Sequence, residues 1–256
     1  MFKPFVLPVL FLFLVVTIGC GGGSNSSGSS NSQSATPGQA QNVYSGTTSN
    51  GGSFEAIILP NDKLYTIYGT TSGNVFSVQG MLTGQGASKS GTYTASVSDF
   101  DSAGSIGSGS VSATYVVDTS INGTLSETGS PNITFSGAVL PTSSFNYNTA
   151  ASLANVTRTW NGTLLDGSSA TVTINADGSF SGSDSSGCSF TGNVSPDSST
   201  KNFFNVSLTY GASPCLLPNQ TATGIAVNYL LSDGVTEQLL AGLASGTSFG
   251  TVFIGQ

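Results

Sequence analysis

Carboxylates and cysteines are the residues here with the most obvious capacity for chemistry, because histidine is absent from all 256 positions. That absence removes Ser-His-Asp and Cys-His arrangements, imidazole metal ligands and the commonest general base. Paired carboxylates remain, and a suitable pair can cleave a glycoside. Glu55, Glu127 and Glu237 are the only glutamates, and their spacing selects no pair. Asp99-Phe100-Asp101-Ser102-Ala103-Gly104 puts two carboxylates near a glycine. A calcium loop needs further oxygen ligands and a closing bidentate glutamate. None follows, so a polar hairpin loop is expected. Gly84-Gln85-Gly86-Ala87-Ser88-Lys89 lacks both the third glycine of a dinucleotide loop and the Gly-Lys-Ser/Thr of a P-loop, and a turn is expected there. The sequence therefore offers no catalytic residue, metal ligand or cofactor site, and a non-enzymatic protein is expected.

Charge narrows the partners. Setting aside Lys3, the cations are Lys63, Lys89, Arg158 and Lys201 against twelve acids, a net charge of −8. No basic patch faces phosphates, so nucleic acid is disfavoured. Tyr65, Tyr68, Phe76, Tyr93, Phe100, Tyr115 and the single tryptophan, Trp160, are expected first of all in a core; an exposed one would suggest carbohydrate or protein contact.

The first residues have the order of an export signal. Lys3 gives a short positive start, and Phe5 to Ile18 is an uncharged apolar run. That run is shorter than the roughly 20 residues a membrane-spanning helix needs, and its length suits a cleaved signal peptide. It ends Val16-Thr17-Ile18-Gly19-Cys20, followed by three glycines. This resembles the lipobox of bacterial lipoproteins, with Thr17 where leucine is usual. The resemblance implies a signal peptide over 1–19 and cleavage before Cys20. It also implies a diacylated, N-acylated Cys20 inserted in a bilayer. Gly21 stands where aspartate would favour inner-membrane retention, so the outer membrane is expected. Residues 20–42, rich in glycine and serine, form a flexible tether with a reach on the order of 25 Å. With Cys20 carrying lipid, Cys188 and Cys215 remain as a pair, and in an oxidising compartment a disulfide is expected. Two free thiols or half of a metal site are the alternatives.

Period-two patterning must position these groups. Phe76, Val78, Gly80 and Leu82 alternate with Ser77, Gln79 and Met81. Similar alternation runs through Tyr93–Val97, Val172–Ile174, Phe204–Tyr210 and Ile225–Tyr229, as in strands with one buried and one wet face. Thr236 to Ala244 is the best helix candidate and fits a strand equally. Turn signals recur at Asn50-Gly51, Asn122-Gly123, Asn161-Gly162, Asp166-Gly167, Asp177-Gly178 and Asp233-Gly234. Cys188 at the start of one strand and Cys215 after the next, with a turn near Pro196 to Thr200, would close the open end of an antiparallel pair.

A repeat at an offset of about 116 residues matches Tyr44-Ser45-Gly46-Thr47 to Trp160-Asn161-Gly162-Thr163, and Asn50-Gly51 to Asp166-Gly167. It divides the body into residues 43–142 and 143–256, each with room for about eight strands. The expected class is all-β, an antiparallel meander forming one or two small barrels or sandwiches. In architecture this is similar to Gram-negative surface lipoproteins with lipocalin-like β subdomains, the factor H-binding and transferrin-binding lipoproteins among them. The expected function is a non-enzymatic, membrane-anchored envelope lipoprotein that binds a protein or glycan through its loops or contributes to envelope structure. The alternative is a lipocalin-like carrier of a small apolar ligand, and less favoured is a glycan-acting enzyme using paired carboxylates.

Overall fold

The computed structural model describes residues 39–72 and 75–256. The leader, Cys20 and most of the tether lie outside the described residues. Sixteen strands form two closed antiparallel barrels of eight, each a meander in which neighbours in sequence are neighbours in space. The first barrel runs β1 (Asn42–Thr48), β2 (Ser53–Ile58), β3 (Lys63–Ser72), β4 (Val75–Lys89), β5 (Thr92–Asp101), β6 (Ile106–Val116), β7 (Ser120–Glu127) and β8 (Ile133–Val139). The second runs β9 (Thr159–Leu164), β10 (Ser169–Ile174), β11 (Ser179–Asp184), β12 (Ser189–Pro196), β13 (Phe204–Tyr210), β14 (Thr221–Leu230), β15 (Glu237–Ser245) and β16 (Phe249–Gly255). β1 closes on β8 over Tyr44–Thr48, and β9 on β16 over Gly162–Leu164, so the described strands present little open sheet edge for another chain to extend.

Alternation fills both barrels. Tyr93, Ala95 and Val97 point into the first, and Val172, Ile174, Val206 and Leu208 into the second. The opposite positions, among them Thr94, Ser96, Thr171 and Ser207, are exposed. Apolar inside and polar outside is the reverse of a lipid-facing barrel.

A third apolar cluster joins the barrels. Ile57, Tyr65, Ile67, Met81 and Phe100 of the first pack with Ile225, Val227, Tyr229, Leu240 and Val252 of the second, and Phe145, Tyr147 and Phe203 join them from connecting segments. Strands in this seam are buried on both faces, which changes three expectations. Ile225, Val227 and Tyr229 face the first barrel, while Ala226, read as wet, lies inside the second. Thr236 to Ala244 is strand from Glu237, and its unbroken buried run Leu239 to Leu243 explains its helix-like appearance. Met81, read as wet, is fully buried between the barrels. The register of β3 and β4 shifts between Tyr68 and Gly69, with Gln79 as the extra residue. This bulge turns Phe76 and Val78 toward the seam while Leu82 stays inside the first barrel.

Two other sequence readings change. Gly84 to Lys89 is the end of β4, not a turn. Asn122-Gly123 and Asn161-Gly162 lie within β7 and β9. Gly162 is where the second barrel closes, and a Cβ there would collide with the backbone of Ile254 and Gly255.

The repeat falls on equivalent places in the two barrels. Tyr44 and Trp160 sit in their first strands, each fully buried. Tyr44 Oη donates to the Ala40 carbonyl at 2.8 Å and Trp160 Nε1 to the Val156 carbonyl at 2.9 Å, each four residues upstream. Gly51 (φ +85°) and Gly167 (φ +81°) turn the first hairpin of each barrel. The body also takes in residues assigned to the tether: Ala40 is buried, and Gln39 Oε1 accepts from Tyr115 Oη at 3.1 Å.

Candidate functional site at the far mouth of the first barrel

The chain enters the first barrel at Gln39, beside the β2–β3, β4–β5 and β6–β7 turns. The other turns, β1–β2, β3–β4, β5–β6 and β7–β8, surround the opposite mouth. Behind that mouth lies a cavity of about 140 Å³, lined by Phe54, Leu82, Tyr93, Val111 and Ile121 among others. The second barrel holds about 70 Å³ with an almost wholly apolar lining.

Among the polar side chains lining the first cavity, Tyr68, Asp99 and Glu127 are each placed by strand parity. Asp99 follows Tyr93, Ala95 and Val97 on the inner face of β5. Tyr68 follows Leu64 and Thr66 on β3, and Glu127 follows Ile121 and Leu125 on β7. Tyr68 Oη lies 2.8 and 3.0 Å from the two Asp99 oxygens, donating to the carboxylate. β6 separates β5 from β7, but its residue there is Gly107, paired with Asp99. A Cβ on Gly107 would stand 3.4 Å from Asp99 Cβ and 3.8 Å from Glu127 Oε1. Glycine thus leaves the carboxyl groups facing each other.

Burial pushes the Asp99 carboxyl up to about 7, the Tyr68 hydrogen bond opposes this, and the hydrogen bond and charge of Glu127 add to it. Glu127 Oε1 is buried with no donor while Asp99 is ionised. A proton on Asp99 supplies one. Asp101, the other acid of the segment, is occupied in its own turn, accepting from the Ala103 and Ser105 amides at 2.9 and 2.8 Å. The expected loop is therefore correct for 102–104 only, since Asp99 belongs to the strand and the cavity.

Glu55 occupies a second polar position, beside an open cleft of about 810 Å³ between the barrels. The residue is half-buried, yet its Oε2 is shielded from solvent and without a partner. Burial raises its carboxyl to about 7, with a Ser45 hydrogen bond opposing. Glu237, the remaining glutamate, pairs with Arg158 at 2.8 Å on the surface. Among the described residues no group of three or more acids or cysteines could hold a metal.

The raised values of Asp99 and Glu55 set a pH dependence. Both hold a proton in the folded protein that the unfolded chain releases near pH 4. Their contribution to stability is full below about pH 4 and is lost as pH rises through about 7. Urea midpoints should therefore fall between pH 5 and pH 8, and the fall should shrink in Asp99→Asn/Glu55→Gln. An equal fall in the variant would show that other groups set it.

The disulfide is present. Cys188 and Cys215 are bonded, with Cα atoms 4.5 Å apart, joining the start of β12 to the segment after β13. Of the aromatics, Tyr65, Tyr93, Phe100, Tyr115 and Trp160 are buried, whereas Phe76 and Tyr68 are half-buried. Sequence reasoning passed over the Asp99–Glu127 pair, although parity placed each residue on an inner face. Their meeting also requires the pairing register and the bare Gly107.

No family model, curated protein or solved structure matches this chain.

Proposed function

We propose that this chain is a lipid-anchored protein of a bacterial outer membrane, held by Cys20, that engages a protein or glycan through the far loops of its first barrel and catalyses no reaction. The observation that carries this reading is the packing of both barrel interiors. A carrier of a drug-sized ligand needs a cavity of roughly 300–1,000 Å³, whereas these hold about 140 and 70 Å³. The larger admits a small group of a partner, such as a side chain or part of a sugar.

The mouth also favours one chemistry. Asp99 and Glu127 offer acceptors and the Tyr68 hydroxyl is held by Asp99, with no cation lining the cavity. Neutral hydrogen-bond donors and cations suit it, and phosphates and carboxylates do not. The carboxyl groups sit inside a cavity of about 140 Å³, which is small for the glycosidic linkage that a catalytic carboxylate pair must flank.

Photo-crosslinking in living cells tests this. A crosslinking residue at exposed Asn50 or Asn132, in the far turns, should capture a discrete partner. The same residue at exposed Thr191, on the wall of the second barrel, should not. Equal labelling at all three positions, or saturable uptake of a fluorescent fatty acid by the intact protein, would overturn the reading.

A further inference from the structure

The face of the first barrel opposite the candidate site carries an apolar tip. Val116 and Val117, where β6 turns into β7, are 60% and 56% exposed. The other exposed large apolar side chains among the described residues are Ile106, at the start of β6, and Leu216 and Val235, on two different loops of the second barrel. The valine tip is fixed to the point where the chain enters the barrel. Asn42 Nδ2, in the first residue of β1, donates to Asp118 Oδ1 of this turn at 2.8 Å. Tyr115 Oη donates to Gln39 Oε1 at 3.1 Å. The adjoining β4–β5 turn presents exposed Lys89, and its Gly91 carbonyl accepts from the Tyr115 amide at 2.9 Å.

We infer that this face docks on the bilayer, with Val116 and Val117 entering the interfacial region and Lys89 beside the phosphates of the headgroups. The inference rests on the proposed anchor. Residues 1–38 lie outside the described structure, the proposed lipid site among them, and they join the body at this end. A flexible tether from Cys20 to Gln39, as expected from its glycine and serine content, would reach on the order of 25 Å. Two valines would not hold a free protein on a membrane. A tethered protein is already at high effective concentration there, so a small apolar contact suffices to choose which face turns down. That choice points the mouth holding Asp99 and Glu127 away from the bilayer, toward a partner.

The test uses the full-length lipidated protein in vesicles of phosphatidylethanolamine and phosphatidylglycerol with brominated acyl chains, which quench tryptophan at the interface. Trp160 is fully buried in the second barrel and supplies a constant background. Val117→Trp should lose most of its added emission, and Ile106→Trp, at the far mouth, should keep it. In the unaltered protein on the same vesicles, the amides of 117–119 should gain protection from hydrogen exchange and those of 102–105 should not. Equal emission at both positions, with exchange unchanged and the protein still floating with the vesicles, would overturn the docking and leave the anchor standing. A protein that does not float would overturn the anchor and the docking together. The Thr119 amide already donates to the Val116 carbonyl at 3.0 Å, so the reading is the difference that vesicles make, and equal protection at 117–119 with and without vesicles would overturn the bilayer as the occupant.

Discussion

Trp160→Ala is expected to lower the stability of the second barrel by about 3–5 kcal/mol, the usual range for removing a large aromatic from a core. Trp160 is the largest fully buried side chain, packed with Val172, Phe204, Phe253 and others in the interior cluster. Alanine would leave a void bounded by strands already committed to a closed ring, so little collapse is available to fill it. The indole also donates to the Val156 carbonyl at 2.9 Å and lies 3.7 Å beneath the Arg158 guanidinium. Trp160→Phe keeps most of the volume and loses the hydrogen bond, so it should cost less than alanine. Stability of natural domains is about 5–15 kcal/mol, so the alanine variant should be near the limit of folding. Urea unfolding followed by circular dichroism gives both values; equal costs would assign the effect to the hydrogen bond and not to packing.

Breaking the disulfide with Cys188→Ala/Cys215→Ala should cost about 3–4 kcal/mol on the chain-entropy model, given the sequence separation of 27. Both cysteines are buried, at 3% and 4% exposure, so the contacts they make add to the loss. The bond joins the open ends of β12 and β13, where register is fixed by pairing from Phe190↔Tyr210 to Pro196↔Phe204. Losing it frees the segment between Tyr210 and Thr221 first. Hydrogen exchange should therefore rise there before it rises in the first barrel, and membrane attachment should not change. An unchanged unfolding midpoint, in the variant or in the reduced protein, would mean that the barrel fixes this register without the bond.

Much of this fold is visible in the residues because each barrel has one dry inner face. Tyr93-Ala95-Val97 and Phe204-Val206-Leu208 carry that signal, and the paired cysteines follow from consecutive strands turning back near Pro196. The sequence misleads where an outer face is dry as well. Ile225, Val227 and Tyr229 alternate convincingly but point at the other barrel, and Met81 sits buried where a polar residue was expected. Single-strand patterning cannot distinguish a barrel's inside from a seam between barrels, since both exclude water. The bulge at Gln79 adds a phase change that no local signal marks. Half of the candidate site was likewise available: Asp99 and Glu127 each stand in phase with a core stripe. Their encounter depends on register across β6 and on the missing side chain of Gly107, a relation between three strands that no one strand encodes.

The mass of the mature protein extracted from membranes tests the central claim most directly. A chain that begins at Cys20, carries a diacylglyceryl group and an N-acyl chain, and partitions into detergent is expected, with Cys20→Ser neither acylated nor cut before residue 20. A mature chain without acyl groups, or a Cys20→Ser variant processed to the same acylated mass, would contradict it.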